Sequence, residues 1–313
     1  MVARTTAVTV FMVVVLISAC TKTQNAEVRQ QRSDVGSQAS EVLNKQIDDI
    51  AAEAKGRVGV SAVSLESGKT IASFNPQDHF PMQSVYKLPI SMAVMQAVDA
   101  GKIKLSGKVA VTTSDMVGPD AFSQVRDRYP KGTSLTVEEL LRYTLLISDG
   151  TTSDVLMRLA GGPAAVQSYL GTLGITDWKV VDTENAFSRD HSLQYRNWAT
   201  PEAAVALLGA LYERRGMTEA SQALLLKLMT ESTTGPKRLK GLLPAGTIVA
   251  HKTGSSGTEK GITAATNDIG IITLSNGKHL AIAVFVSDSS ADSETREGVI
   301  AKIAKVIASS VQN

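Results

Sequence analysis

The β-rich runs of this chain fall near its two ends, and the long middle is patterned for helices. On the N-terminal side, "RVGVSAVSL" and "KTIASF" alternate apolar and polar residues and are joined by "ESG", which reads as a hairpin. On the C-terminal side, "GTIVAHKTG", "GITAATNDIGIITL" and "HLAIAVFVSD" read as three more strands. Strand edges left unpaired are a liability, so runs so far apart in the chain are expected to meet in one sheet. The expected fold class is therefore a composite α+β architecture. Its five-stranded antiparallel sheet is flanked by the first and last helices, about 41–55 and 291–310, with an all-α region inserted between. The boundaries expected are 41–83 and 232–313 for the sheet domain and 84–231 for the all-α domain. Within the latter, "TVEELLRYTLLIS" and "TPEAAVALLGALYERR" start well, with Thr136 and Thr200 as N-caps and Pro201 at the first helical position.

The chain has 313 residues at a net charge of +2, with 4% aromatic residues and no long basic run. A nucleic-acid partner is not implied by that balance. Residues 1–20 read as a signal peptide: "TTAVTVFMVVVLISA" follows Arg4 and is too short for a confident span. It ends at Cys20, the only cysteine, in a context similar to a bacterial lipobox. Cys20 is the expected lipidation site, and the polar residues 21–40 are the expected tether. The protein is expected to be exported to the periplasm, membrane-tethered through this anchor alone, and monomeric. With one cysteine, no intrachain disulfide is possible.

Three short patterns carry chemistry. Ser84 and Lys87, in "HFPMQSVYKLPIS", stand at i and i+3 near an expected helix start. That places a hydroxyl and an amine on one face, either as a nucleophile with its base or as an ordinary polar pair. Pro81 suits a first helical turn, whereas Pro89 falls where a proline costs about 3 kcal/mol or a kink. A second Ser-x-x-Lys, Ser275 to Lys278, contains Asn276-Gly277 and reads as a hairpin turn. "ISDG" places Ser148, Asp149 and Gly150 between two helical runs, where Asp149 also suits an N-cap. "HKTGSSG" places Lys252, Thr253 and Ser255 at the end of a strand, where backbone N–H groups can meet an oxyanion. The histidines form no metal-ligand pattern, and no cofactor is implied.

In the order Ser-x-x-Lys, Ser-Asp-x, Lys-Thr-Gly, these segments resemble the penicillin-recognising serine enzymes. The body, about residues 41–310, resembles class A serine β-lactamases. "MQSVYKLP", "QYRNWATP" and "GPKRLKGLLPAGTIVAHKTG" are similar to their extended-spectrum cephalosporinase (PER/VEB-like) branch. The resemblance implies hydrolysis of penicillins and cephalosporins through an acyl-enzyme, conferring antibiotic resistance. The alternative is a D-Ala-D-Ala carboxypeptidase or transpeptidase. It implies Ser84, Lys87, Ser148, Glu184 and Lys252 as catalytic residues, with the backbone N–H groups of Ser84 and Ser255 as the oxyanion hole. Glu184 lies in an expected omega loop, about 178–201, and would position the deacylating water. Either Lys87 or a water on Glu184 would take the Ser84 proton. Thr253, Ser255 and Arg238 would receive the substrate carboxylate. Two positions depart from the family pattern: Gly150 and Ser188 stand where asparagines are usual, so substrate contact and water placement are expected to differ there.

Overall fold

The computed structural model describes residues 41–311. The signal peptide, Cys20 and the tether lie outside the described residues. The chain divides into two units, Met1–Lys45 and Gln46–Asn313, and every element that positions the site belongs to the second.

The five expected strands form one antiparallel sheet. Strands β1 (Arg57–Ser64), β2 (Thr70–Phe74), β3 (Ile248–Ser255), β4 (Ile262–Thr273) and β5 (His279–Ser289) stand in the order β2-β1-β5-β4-β3. A sixth, two-residue strand, Thr258–Glu259, folds back onto β4. The N-terminal hairpin docks on the last strand, with Val60 opposite Val284 and Ala62 opposite Ile282. Strands β4 and β5 are buried almost throughout, on both faces, which is why neither sequence alternates apolar with polar residues. Between them Asn276-Gly277 makes the expected turn: Gly277 takes φ +77°, and the Asn276 side chain accepts from Lys278 N–H.

The helices are α1 (41–52), α2 (Lys87–Asp99), α3 (Gln124–Arg128), α4 (Val137–Leu146), α5 (Gly150–Leu159), α6 (Pro163–Thr172), α7 (Glu184–Phe187), α8 (Pro201–Tyr212), α9 (Glu219–Thr230) and α10 (Ser293–Ser310). Thr136 caps α4 in a reciprocal capping box with Glu139, and Thr200 caps α8 ahead of Pro201, both as expected. Helix α8 packs on β1 and β5, α9 on β3, and α10 on β4 and β5. Among the described residues, no helix is long and apolar enough to cross a membrane.

Helix α2 is the pivot of the fold. Leu88, Ile90, Met92, Val94 and Met95 are all buried, so it is enclosed on most sides instead of presenting one stripe. A single apolar cluster runs from α2 and α8 to Ile269, Ala283 and Phe285 of the sheet. The two prolines resolve differently from expectation. Pro81 lies in a two-residue strand, Phe80–Pro81, and a 3-10 turn, Gln83–Tyr86, starts the helical run. Pro89 is then only the third residue of α2, in the first turn, where a missing N–H leaves no intrahelical bond unmade.

Candidate active site

Ser84 sits in the 3-10 turn and Lys87 begins α2, so the i, i+3 spacing sets both beside the same cavity. Gln83, immediately before Ser84, takes φ +49°, a left-handed conformation that non-glycine residues adopt only under constraint. The constraint is visible. Asn267 of β4 donates to the carbonyls of Pro81 and Met82 at 2.8 and 3.2 Å. Across from them, Gly254 of β3 approaches so closely that a Cβ there would lie 2.2 Å from Met82 O. Only glycine lets the Lys252 strand lie against the Ser84 turn.

Glu184 opens the short helix α7, in the segment expected as an omega loop. The neck of that loop is closed by Trp178–Lys179 pairing with Trp198–Ala199, which in turn pairs with Phe80–Pro81. The loop is thus joined to the segment that leads into Ser84. Buried Asn197 accepts from Val181 N–H and Asp182 N–H at 2.7 and 3.0 Å, and Gln83 donates to Gln194 at 2.9 Å. From below, Asp154 of α5 accepts from the backbone N–H groups of Glu184 and Asn185, each at 2.8 Å. Burial, and then the Glu184 charge, push the Asp154 carboxyl up to about 7.

These elements bring the expected catalytic side chains together. Ser84 Oγ lies 3.5 Å from Glu184 Oε1. Both groups line the same cavity, so the carboxylate stands within reach of an ester on Ser84. Lys87 Nζ lies 3.1 Å from the same carboxylate oxygen and donates to Ser148 O at 2.6 Å and Ser148 Oγ at 3.3 Å. Ser84 therefore connects to Lys87 through Glu184. On the far side, Lys252 Nζ donates to Ser148 Oγ at 3.0 Å. The Ser148 hydroxyl bridges two buried amines. Burial and then the Lys87 cation hold Lys252 well below the ordinary lysine range, against the opposing pull of Asp268 and Glu184. Ser148 takes φ +62°, and Asp149 behind it is wholly buried, capping α5 through Thr152 N–H and accepting from Val125 N–H. Asp149 braces its loop, as expected.

The cavity has a volume of about 410 Å³. Arg238 lines one wall, donating to Ser255 Oγ at 2.7 Å and to the carbonyls of Gly254 and Asn267, with Glu297 as its ion-pair partner at 3.1 Å. Thr253 Oγ1 donates to Thr234 Oγ1 at 2.7 Å on the same wall. Guanidinium and hydroxyls suit a carboxylate there. Ser188 lines the cavity, but its hydroxyl donates to Asn185 O and accepts from Gly118 N–H, both at 2.9 Å. It fastens α7 to the 116–122 loop, which leaves one lone pair for a water. At Gly150, an added Cβ would lie 3.2–3.4 Å from Phe122 O and the Val117 methyls, so the same loop closes over that position.

Asp154, Asn197, Asn267 and Arg126 were not singled out by the sequence. Arg126 donates to the carbonyls of Val117, Gly118 and Ala121 and so shapes the cavity rim. Asp154, Asn197 and Asn267 act on backbone groups distant in the chain, and of these only Asp154, a lone acid inside a buried helical pattern, carries a local signal. Among the described residues, no cluster of side chains could hold a metal ion.

A family profile described as the β-lactamase enzyme family matches residues 42–311. The extended-spectrum β-lactamase PER-1 of Pseudomonas aeruginosa is 42% identical over 85% of this chain and 86% of its own length. β-Lactamase VEB-1 of the same organism is 41% identical over 84% and 88%. Among solved structures, a β-lactamase from Chitinophaga pinensis is 45% identical, with a TM-score of 0.83 over 85% of this chain and 98% of that one. A class A β-lactamase from Bacteroides cellulosilyticus is 35% identical with a TM-score of 0.82 over 87% and 98%. With its serine, amines and carboxylate converging on one cavity, and with similarity along nearly the whole body, the chain belongs to the β-lactamase enzyme family, as a class A β-lactam hydrolase.

Proposed function

We propose that the enzyme opens the β-lactam ring of penicillins and cephalosporins through an acyl-enzyme on Ser84. The observation that carries this reading is the ring of contacts joining Ser84, Glu184, Lys87, Ser148 and Lys252. Ser84 Oγ attacks the lactam carbonyl carbon as its proton passes to Lys87 or, through a water, to Glu184. The carbonyl oxygen becomes an oxyanion between the backbone N–H groups of Ser84 and Ser255. The C–N bond then breaks, and the ring nitrogen takes the proton of Ser148, which is replaced from Lys252. Arg238, Thr253 and Ser255 hold the substrate carboxylate meanwhile. Glu184 next removes a proton from water as the water oxygen attacks the ester carbonyl carbon. The bond from that carbon to Ser84 Oγ then breaks as Oγ takes the proton back from Glu184. A carboxypeptidase with the same acylation groups is not favoured by these relatives. Intact-mass measurement after a brief penicillin pulse should show one adduct on the parent and none on Ser84→Ala. An adduct of equal yield on the variant overturns the assignment of Ser84.

We further propose that the protein is exported, lipidated at Cys20 and held at the periplasmic membrane face by residues 21–40, acting as a monomer. The lipobox-like "ISAC" supports the anchor, and all groups named in the mechanism come from one chain. Two acyl chains anchor durably where one does not. Palmitate should label the parent and not Cys20→Ala; an unlabelled parent overturns the anchor.

A further inference from the structure

Behind the catalytic strand lies a buried acid that the mechanism above does not use. We propose that Asp268, held by His251, is a positioning residue that fixes the Lys252 strand and the Arg238 loop as one unit behind the cavity. Both side chains are completely buried, on neighbouring strands β4 and β3. His251 Nδ1 lies 2.9 Å from both Asp268 oxygens, and since a carboxylate only accepts, Nδ1 is the donor. Nε2 is buried without a partner among the described residues. The tautomer with its proton on Nδ1 leaves a bare lone pair there, which costs less than a stranded N–H. His251 pairs with Gly270 across the ladder, where an added Cβ would come within 2.8 Å of His251 Cβ.

A buried carboxylate is expensive unless its oxygens are satisfied. Asp268 completes its set with Leu239 N–H at 3.2 Å. Leu239 follows Arg238, whose guanidinium spans Ser255, Gly254 and Asn267. One acid thereby anchors the loop of the carboxylate-binding arginine. In the ladder it stands opposite Thr253, one residue past Lys252. It is also the largest of the negative charges acting on Lys252. Lys87 of α2 and Arg238 of the preceding loop push that lysine down, and Asp268 of β4 and Glu184 of α7 oppose them, Asp268 more strongly. A fixed Asp268 thus keeps Lys252 charged to higher pH and in register with Arg238.

This inference rests on the part proposed for Lys252, so Lys252→Ala is measured alongside. In Asp268→Asn of the full chain, the alkaline limb of kcat/KM for a penicillin should move about one unit to lower pH, the size an adjacent opposite charge supplies. Its KM should rise about tenfold with a smaller change in kcat. His251→Leu should move both in the same direction. His251→Asn, whose amide can donate where Nδ1 did, should restore them toward the parent. An Asp268→Asn enzyme with parental limb and KM, whatever its melting temperature, overturns the proposal. If that variant fails to fold, parental limb and KM in His251→Leu overturn it instead. Should Lys252→Ala itself leave limb and KM unchanged, the role of Lys252 has failed and the pair positions nothing catalytic.

Discussion

Glu184→Gln accumulates acyl-enzyme and releases it about 10³-fold more slowly than the parent, the upper-middle range for loss of a general base. The amide keeps the shape of the side chain and can still accept from Lys87, which sits 3.1 Å from the carboxylate. What it cannot do is take the proton of the attacking water. Stopped-flow acylation and intact-mass decay of the Ser84 adduct measure the two halves separately. They also decide who accepts the Ser84 proton. If acylation runs at the parental rate, Lys87 is the base; if it slows with deacylation, the route runs through Glu184. Rapid loss of the adduct from the variant would remove Glu184 from the hydrolytic step.

The second large effect is expected at Asp154, which holds the start of the Glu184 helix by two backbone N–H groups at 2.8 Å. In Asp154→Asn one oxygen remains to accept, and the new NH₂ faces a backbone donor. Leaving a buried donor unpaired costs about 1–3 kcal/mol, and Glu184 shifts with its helix. Deacylation should slow about tenfold or more, because displacement of a water-positioning group by an ångström is costly. The parent also carries a pH signature. The Asp154 carboxyl is raised from 3.8 to about 7, so the folded state binds its proton more tightly than the unfolded chain does. Stability from this group is complete below the ordinary aspartate range and is lost as pH rises through about 7. A shift of that size corresponds to about 4 kcal/mol. The parental melting temperature should therefore fall between pH 5 and pH 8, and the fall should be much smaller in Asp154→Asn. Equal slopes in the two proteins would assign the pH dependence to other groups.

Local signals carried much of this site. The Ser84–Lys87 spacing needs only a helical turn to be meaningful, and the caps at Thr136 and Thr200 are settled within four residues. The five strands were legible because each run is long enough to show its pattern. The sixth, Thr258–Glu259, was not, because two polar residues have no pattern to show. The joining of Ser148, Lys252 and Glu184 to that serine was accessible only through family resemblance. Nothing within "ISDG" or "HKTG" states that they will meet across more than a hundred residues of chain. Least legible were the groups that act on distant backbone: Asn267 on Pro81 and Met82, Asn197 on the omega loop, Asp154 on α7. Ser188 was expected near the water, but its hydroxyl is engaged by Asn185 and Gly118 with one lone pair left, a pairing that depends on where the 116–122 loop lies.

The left-handed backbone of Ser148 places the aims of durability and turnover in conflict at one position. A glycine would relax that conformation, by about 1 kcal/mol or more, while deleting the hydroxyl shared by Lys87 and Lys252. Breeding this enzyme for heat tolerance alone would thus be drawn toward a sturdier, inert protein, and only simultaneous selection for drug resistance would hold the serine in place.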